Sequence, residues 1–150
     1  MPRITIISVF IISLLLALTP GCRGAKPKIK AEEVWSRPAA SLNDEMGGMG
    51  VVYLTLINLS SEPDRLVGVE SEMAENAELH TSGMKDGKMT MMHMEEGFEI
   101  PGGGRLTLES GGNHIMLIKL KKDLKPGDRF KVRLKFQKSN PLTVESEVRE

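Results

Sequence analysis

A chain of 150 residues with 20 basic and 20 acidic side chains carries no net charge. Nothing in that balance suggests nucleic acid, whose binding needs a concentrated basic surface. Cys22 is the only cysteine, which excludes an internal disulfide, so an apolar core must hold the fold unaided.

In chain order, "MPR" is a short positive segment, and residues 4–18 form an uninterrupted run of 15 apolar or small residues. That is short of the roughly 20 residues of a membrane span and suits a secretory signal peptide. Cys22 follows in "LALTPGC", a pattern resembling a bacterial lipoprotein cleavage site, in which the cysteine is acylated. Thr19 and Pro20 depart from that pattern, and a general signal peptide with a free cysteine near the cut is the other reading. Either way the protein is expected to be exported, as a periplasmic protein or a lipoprotein anchored at the membrane and facing out of the cytoplasm. The expected organisation is a signal peptide over 1–21, a tether over 22–30 and one domain over 31–150. Loss of Arg3 with the signal peptide leaves 19 basic and 20 acidic groups, a formal charge of −1. A domain of this size can bury roughly two-thirds of its unfolded surface.

"RGAKPKIKAEE" (23–33) has no apolar period and reads as a tether or an initial strand. "GVVYLTLIN" (50–58) is rich in β-branched residues and long enough to cross a buried sheet. "DRLVGVES", "NAELHTS", "GKMTMMHM" and "GRLTLES" follow as short strands between Gly, Pro, Asn, Asp and Ser clusters. In "RFKVRLKFQ" (129–137), Phe130, Val132, Leu134 and Phe136 take one face, and Arg129, Lys131, Arg133 and Lys135 the other. "SSEPDRL" and "ESEMAEN" offer at most a helical turn. "GGMG", "PGGG" and "SGGN" read as turns, since none continues into the Lys-Ser/Thr of a phosphate loop. Short, regularly spaced strands predict an all-β sandwich.

Five of the ten methionines and two of the three histidines fall within residues 78–97, "ELHTSGMKDGKMTMMHMEEG". If 87–94 is a strand, Met89, Met91 and His93 share one face, and Met92 and Met94 the other. Packing does not readily explain methionines on both faces of a half-exposed strand. In "NHIMLIKL" (113–120), His114 and Met116 are two apart, so on a strand they share a face with Cα atoms about 7 Å apart. Each residue taken alone has a plain alternative: Met116 as core, His114 as a hydrogen-bonded strand terminus, His80 as a surface histidine. Taken together, thioethers and imidazoles favour Cu(I) over hard cations. They also form no disulfides in an oxidising compartment.

These residues resemble the metal motif of the periplasmic copper chaperones called PCu(A)C: His, ten residues, Met, about 21 residues, His, one residue, Met. His80 and Met91 match the first spacing and His114-x-Met116 the closing pair, while 22 residues separate Met91 from His114. The extra residue is expected in the "MHMEEGFEIP" turn. "VVYLTLIN", "EPDRLVG", "AELHTSGMKDGKM", "EIPGGG" and "GGNHIMLIKLKKDLKPGD" carry the likeness over about residues 31–148. The resemblance implies a cupredoxin-like Greek-key β-sandwich or barrel that binds Cu(I) near its surface through His80, Met91, His114 and Met116. It also implies delivery of copper to an acceptor, such as a cytochrome c oxidase subunit or another copper chaperone, with storage or resistance as the alternative. Met89 and His93 match no essential position. They either help hold a second ion, Cu(II) included, or belong to a solvent-facing turn.

Other classes fit less well. Blue-copper electron transfer needs a cysteine thiolate at the metal, and Cys22 is remote in sequence from His80 and His114. A zinc hydrolase built on His80, His93 and His114 would lack HExxH spacing. A lipoprotein that only binds a partner through its sheet leaves the methionines unexplained. The expected protein is a metal-binding module and not an enzyme.

Overall fold

The computed structural model describes residues 28–41 and 47–150. The expected signal peptide, its boundary at Cys22 and most of the expected tether lie outside the described residues. Ten strands follow in order: β1 (Ile29–Ser36), β2 (Met49–Asn58), β3 (Asp64–Ser71), β4 (Ala74–Lys85), β5 (Lys88–His93), β6 (Phe98–Ile100), β7 (Arg105–Leu108), β8 (Asn113–Leu120), β9 (Arg129–Phe136) and β10 (Leu142–Val148). The described residues contain no helix. "SSEPDRL" runs directly into β3, and "ESEMAEN" is a strand, a turn at Glu72 and Met73, and a strand. β1 starts inside the segment read as a tether or initial strand: Ile29 already pairs with Asn58.

The strands pair in the order β5-β4-β8-β2-β1-β10-β9-β3-β6, with β7 also on β2. Most neighbours are not consecutive in sequence, so the connections cross between strands in the Greek-key manner and not up and down. β3 runs alongside β4, folding the sheet onto itself around one core. All pairings are antiparallel except β1 with β10. β1 carries a bulge between Glu32 and Trp35, where Glu33 adopts a φ of 52°.

Alternation decides the faces. On β9, Phe130, Val132, Leu134 and Phe136 are buried while Arg129, Lys131 and Arg133 are exposed. They meet Leu54, Leu56, Leu66, Ile115 and Leu117 in the core. Burial at about 25 cal/mol per Å² of apolar surface supplies the main driving force. Asp64, buried at the start of β3, accepts hydrogen bonds from the amides of Arg65 (2.8 Å), Lys138 (2.9 Å) and Ser139 (2.9 Å) and from the Ser139 hydroxyl. It ties β3 to the turn that follows β9.

β4 and β5 form a hairpin closed by Asp86 and Gly87, with φ of 52° and 73°. Two positive φ values in a two-residue loop are the signature of the turn whose twist suits strand pairing. Gly97 ends the next turn at φ 72°, where any side chain would run into the Leu66 carbonyl.

Candidate metal centre

β8 has two faces with different tasks. Ile115 and Leu117 point into the core. His114 and Met116 point the other way, and both are still buried, at 3% and 7% exposure. Met116 stands outside the core cluster despite its burial. It lies across from Val51 on β2 and Glu78 on β4.

His80 lies on β4 directly opposite His114 on one side and His93 of β5 on the other. The ring centroids are 6.0 Å apart for His80 and His114, and 5.3 Å apart for His80 and His93, which are stacked. Ser82 pairs with Met91, and Met84 with Met89. All of these residues therefore share the outer face, since residues directly opposed across a sheet point the same way.

The hydrogen bonds define the ring tautomers. The His114 Nδ1–H donates to the Gly112 carbonyl at 3.0 Å. A carbonyl only accepts, so in the neutral ring Nε2 keeps the lone pair. The His80 Nε2–H donates to Glu78 Oε2 at 2.9 Å, leaving the lone pair on Nδ1. His80 Nδ1 and His114 Nε2 are both buried and have no hydrogen-bond partner. Buried polar atoms are normally satisfied, so two orphaned imidazole nitrogens on adjacent strands need an explanation. A metal ligand has this arrangement: one ring nitrogen anchored to a carboxylate or carbonyl, the other free for the ion.

Among the described residues, no group of three or more His, Cys, Asp or Glu side chains is placed to hold a metal ion. The row His93-His80-His114 is not such a group. The same face also carries thioethers. Met116 is buried beside His114 on the same face. Met91 lines one cleft with His114, Val51, Tyr53, Ser82 and Met89, a space of about 330 Å³. Two neutral imidazoles and two thioethers provide soft donors without charge, suited to a singly charged d¹⁰ cation. Arg37 stands on the rim of the same cleft, over the Tyr53 ring at 5.9 Å and bonded to Ser110. Its positive charge penalises a doubly charged ion more than a singly charged one.

The four residues singled out in the sequence are thus brought to one face, three on interior strands and Met91 on edge strand β5. Met91 is 57% exposed. Glu78 was not singled out, although it orients His80. Its signal was its i−2 position on the strand of a candidate ligand histidine. His93 is not in a turn. It ends β5, stacked on His80 with its Nδ1 4.0 Å from the same Glu78 oxygen. Met89 also lies on this face and lines the cleft.

A family profile described as "Putative lipoprotein LpqE-like" matches residues 29–148. "Putative lipoprotein Lxx21020" of Leifsonia xyli subsp. xyli is 33% identical over 130 residues, covering 85% of this chain and 74% of that protein. Among solved structures, the copper-bound PCuAC domain from PmoF2 matches at a TM-score of 0.64 and 27% identity, covering 83% of this chain and 95% of that domain. The solution structure of CuI-DR1885 from Deinococcus radiodurans matches at a TM-score of 0.57 and 30% identity, covering 85% of this chain and 83% of that one. The chain belongs to the LpqE-like family and has the cupredoxin-like β fold of the PCuAC domains.

Proposed function

We propose that the protein is an extracytoplasmic Cu(I) chaperone, a binding and transfer module that carries no catalysis. His80 Nδ1, His114 Nε2 and the sulfurs of Met91 and Met116 are the ligands. The observation that carries the reading is the pair of buried imidazole nitrogens with no partner, each opposite a ring nitrogen already anchored by Glu78 or Gly112. The copper-bound state of the matched PmoF2 and DR1885 structures supports it.

Transfer follows from where the ligands sit. His80, His114 and Met116 are held on interior strands β4 and β8, whereas Met91 rides on the sheet edge. An incoming donor from an acceptor reaches the ion from the Met91 side and displaces the neutral ligands one at a time. Each exchange replaces a sulfur or nitrogen lone pair with another, with no change of oxidation state. An acceptor with thiolates binds Cu(I) more strongly than thioethers do and draws the ion forward. A copper centre of cytochrome c oxidase or a further copper chaperone meets that requirement. Acylation of Cys22 would hold the protein at the membrane, and mass spectrometry of the mature N-terminus tests it.

Cu(I) competition titration of the protein and of its His114→Ala and Met116→Leu variants tests the assignment. Each variant should lose more than the roughly 10–100-fold that removal of an outer-sphere partner brings. Unchanged affinity in both would refute it.

A further inference from the structure

The hairpin beyond the proposed site carries methionines that stand outside the core cluster. Met84, Met89 and Met92 are 69%, 64% and 51% exposed. Exposed thioethers are open to oxidation to sulfoxide, so an aliphatic residue would cover such a surface at less risk. What a methionine adds over leucine at such a position is a soft sulfur donor.

The ladder brings two of these sulfurs together. The Met94 amide donates to the Leu79 carbonyl at 2.8 Å. In an antiparallel pair, hydrogen-bonded and non-hydrogen-bonded positions alternate. Counting from Leu79–Met94 makes His80–His93, Ser82–Met91 and Met84–Met89 the non-hydrogen-bonded pairs, where Cα atoms approach to about 4.5 Å and side chains lie closest. The last pair ahead of the turn, Lys85 and Lys88, points to the opposite face. Met84 and Met89 therefore face each other on the same side as Met91, away from those ammonium groups. Met89 is two residues from Met91 and shares its cleft with His114.

We propose that Met84 and Met89 form a second, weaker thioether site for a soft monovalent d¹⁰ cation, an inference that rests on the Cu(I) reading of the cleft. The tip site lies on the entry route. Met84 and Met89 take the ion at the exposed end, Met91 joins them, and the ion moves inward to His114, His80 and Met116. Every step exchanges one neutral donor for another. With two exposed thioethers, the tip binds more weakly than the four-donor site and fills only after it.

Silver(I), a redox-inert ion of the same charge and softness, is the probe. The full-length protein is titrated with silver nitrate in chloride-free buffer while the methionine methyl groups are followed by NMR, with signals assigned from single Met→Leu variants. The expected result is two steps. The Met116 methyl moves during the first equivalent, and the Met84 and Met89 methyls move mainly during the second. In the Met84→Leu/Met89→Leu double variant the second step is lost while the first keeps its affinity. In His114→Ala, the Met84 and Met89 methyls still respond. Stationary Met84 and Met89 methyls alongside a moving Met116 overturn the tip site and leave the inner site standing. If no methionine responds, both readings are overturned.

Discussion

His80 and His114 face one another across strands β4 and β8, and each is pinned through one ring nitrogen and free at the other. The pins differ in kind. His114 depends on a backbone carbonyl that no side-chain change removes, whereas His80 depends on the Glu78 carboxylate.

That difference makes Glu78 a positioning residue. Glu78→Leu should free the His80 ring to change tautomer and weaken Cu(I) binding by about 10–100-fold. Glu78→Gln, whose amide oxygen still accepts, should retain most of the affinity. Chelator competition gives the affinities, and ¹⁵N shifts of the His80 ring report the tautomer, which a merely structural role for Glu78 would not move.

The two faces of β8 predict that stability and binding separate. Leu117→Ala removes a side chain with no exposure from the core and should cost about 2–5 kcal/mol. Met116→Leu nearly conserves volume and should cost less than about 1.5 kcal/mol while abolishing tight Cu(I) binding. Chemical denaturation of both apo variants, set beside their copper titrations, checks the contrast.

Much of this was legible in the sequence. The strict alternation of 129–137 and the β-branched run at 50–58 have one reading each, and both are strands with the expected burial. The His/Met spacing identified the four residues that the sheet brings to one face. What the sequence did not reveal is who stands opposite whom. β8 inserts beside β4 across the 27 residues of chain that lie between Lys85 and Asn113, and no local pattern encodes that pairing. The sequence therefore left His93 open between an auxiliary ion ligand and a solvent-facing turn, and only the register shows that it ends a strand directly against His80. β6 has only three residues, too few for a period of its own, and the alternation of Leu142, Val144 and Val148 with Thr143, Glu145 and Glu147 in β10 does not say that its partners are β1 and β9.

Asp64 predicts a pH dependence. Burial opposes its charge, but hydrogen bonds from the Ser139 hydroxyl and from the amides of Arg65, Lys138 and Ser139 outweigh it and hold the carboxyl below the ordinary aspartate range. A folded-state pKa below the unfolded one means the stabilisation is present above the unfolded value, about 3.9, and is lost as pH falls through the folded one. Asp64→Asn should cost about 1–3 kcal/mol at pH 7. The gap between wild type and variant should narrow below about pH 4, as urea unfolding across pH would record.

The hairpin turn predicts a purely conformational cost. A Cβ on Gly87 would meet nothing within 4 Å, yet its φ is 73°. Gly87→Val should destabilise by about 1–2 kcal/mol without a steric clash. Differential scanning calorimetry measures the shift, and a change in the Met91 methyl signal would show whether the fraying reaches the cleft.

X-ray absorption on the Cu(I)-loaded protein tests the central claim most directly. Two nitrogen and two sulfur scatterers around a Cu(I) edge are predicted, with one nitrogen lost in His114→Ala and one sulfur lost in Met116→Leu. A shell of nitrogen and oxygen alone, or a sulfur count that Met116→Leu leaves unchanged, would contradict it.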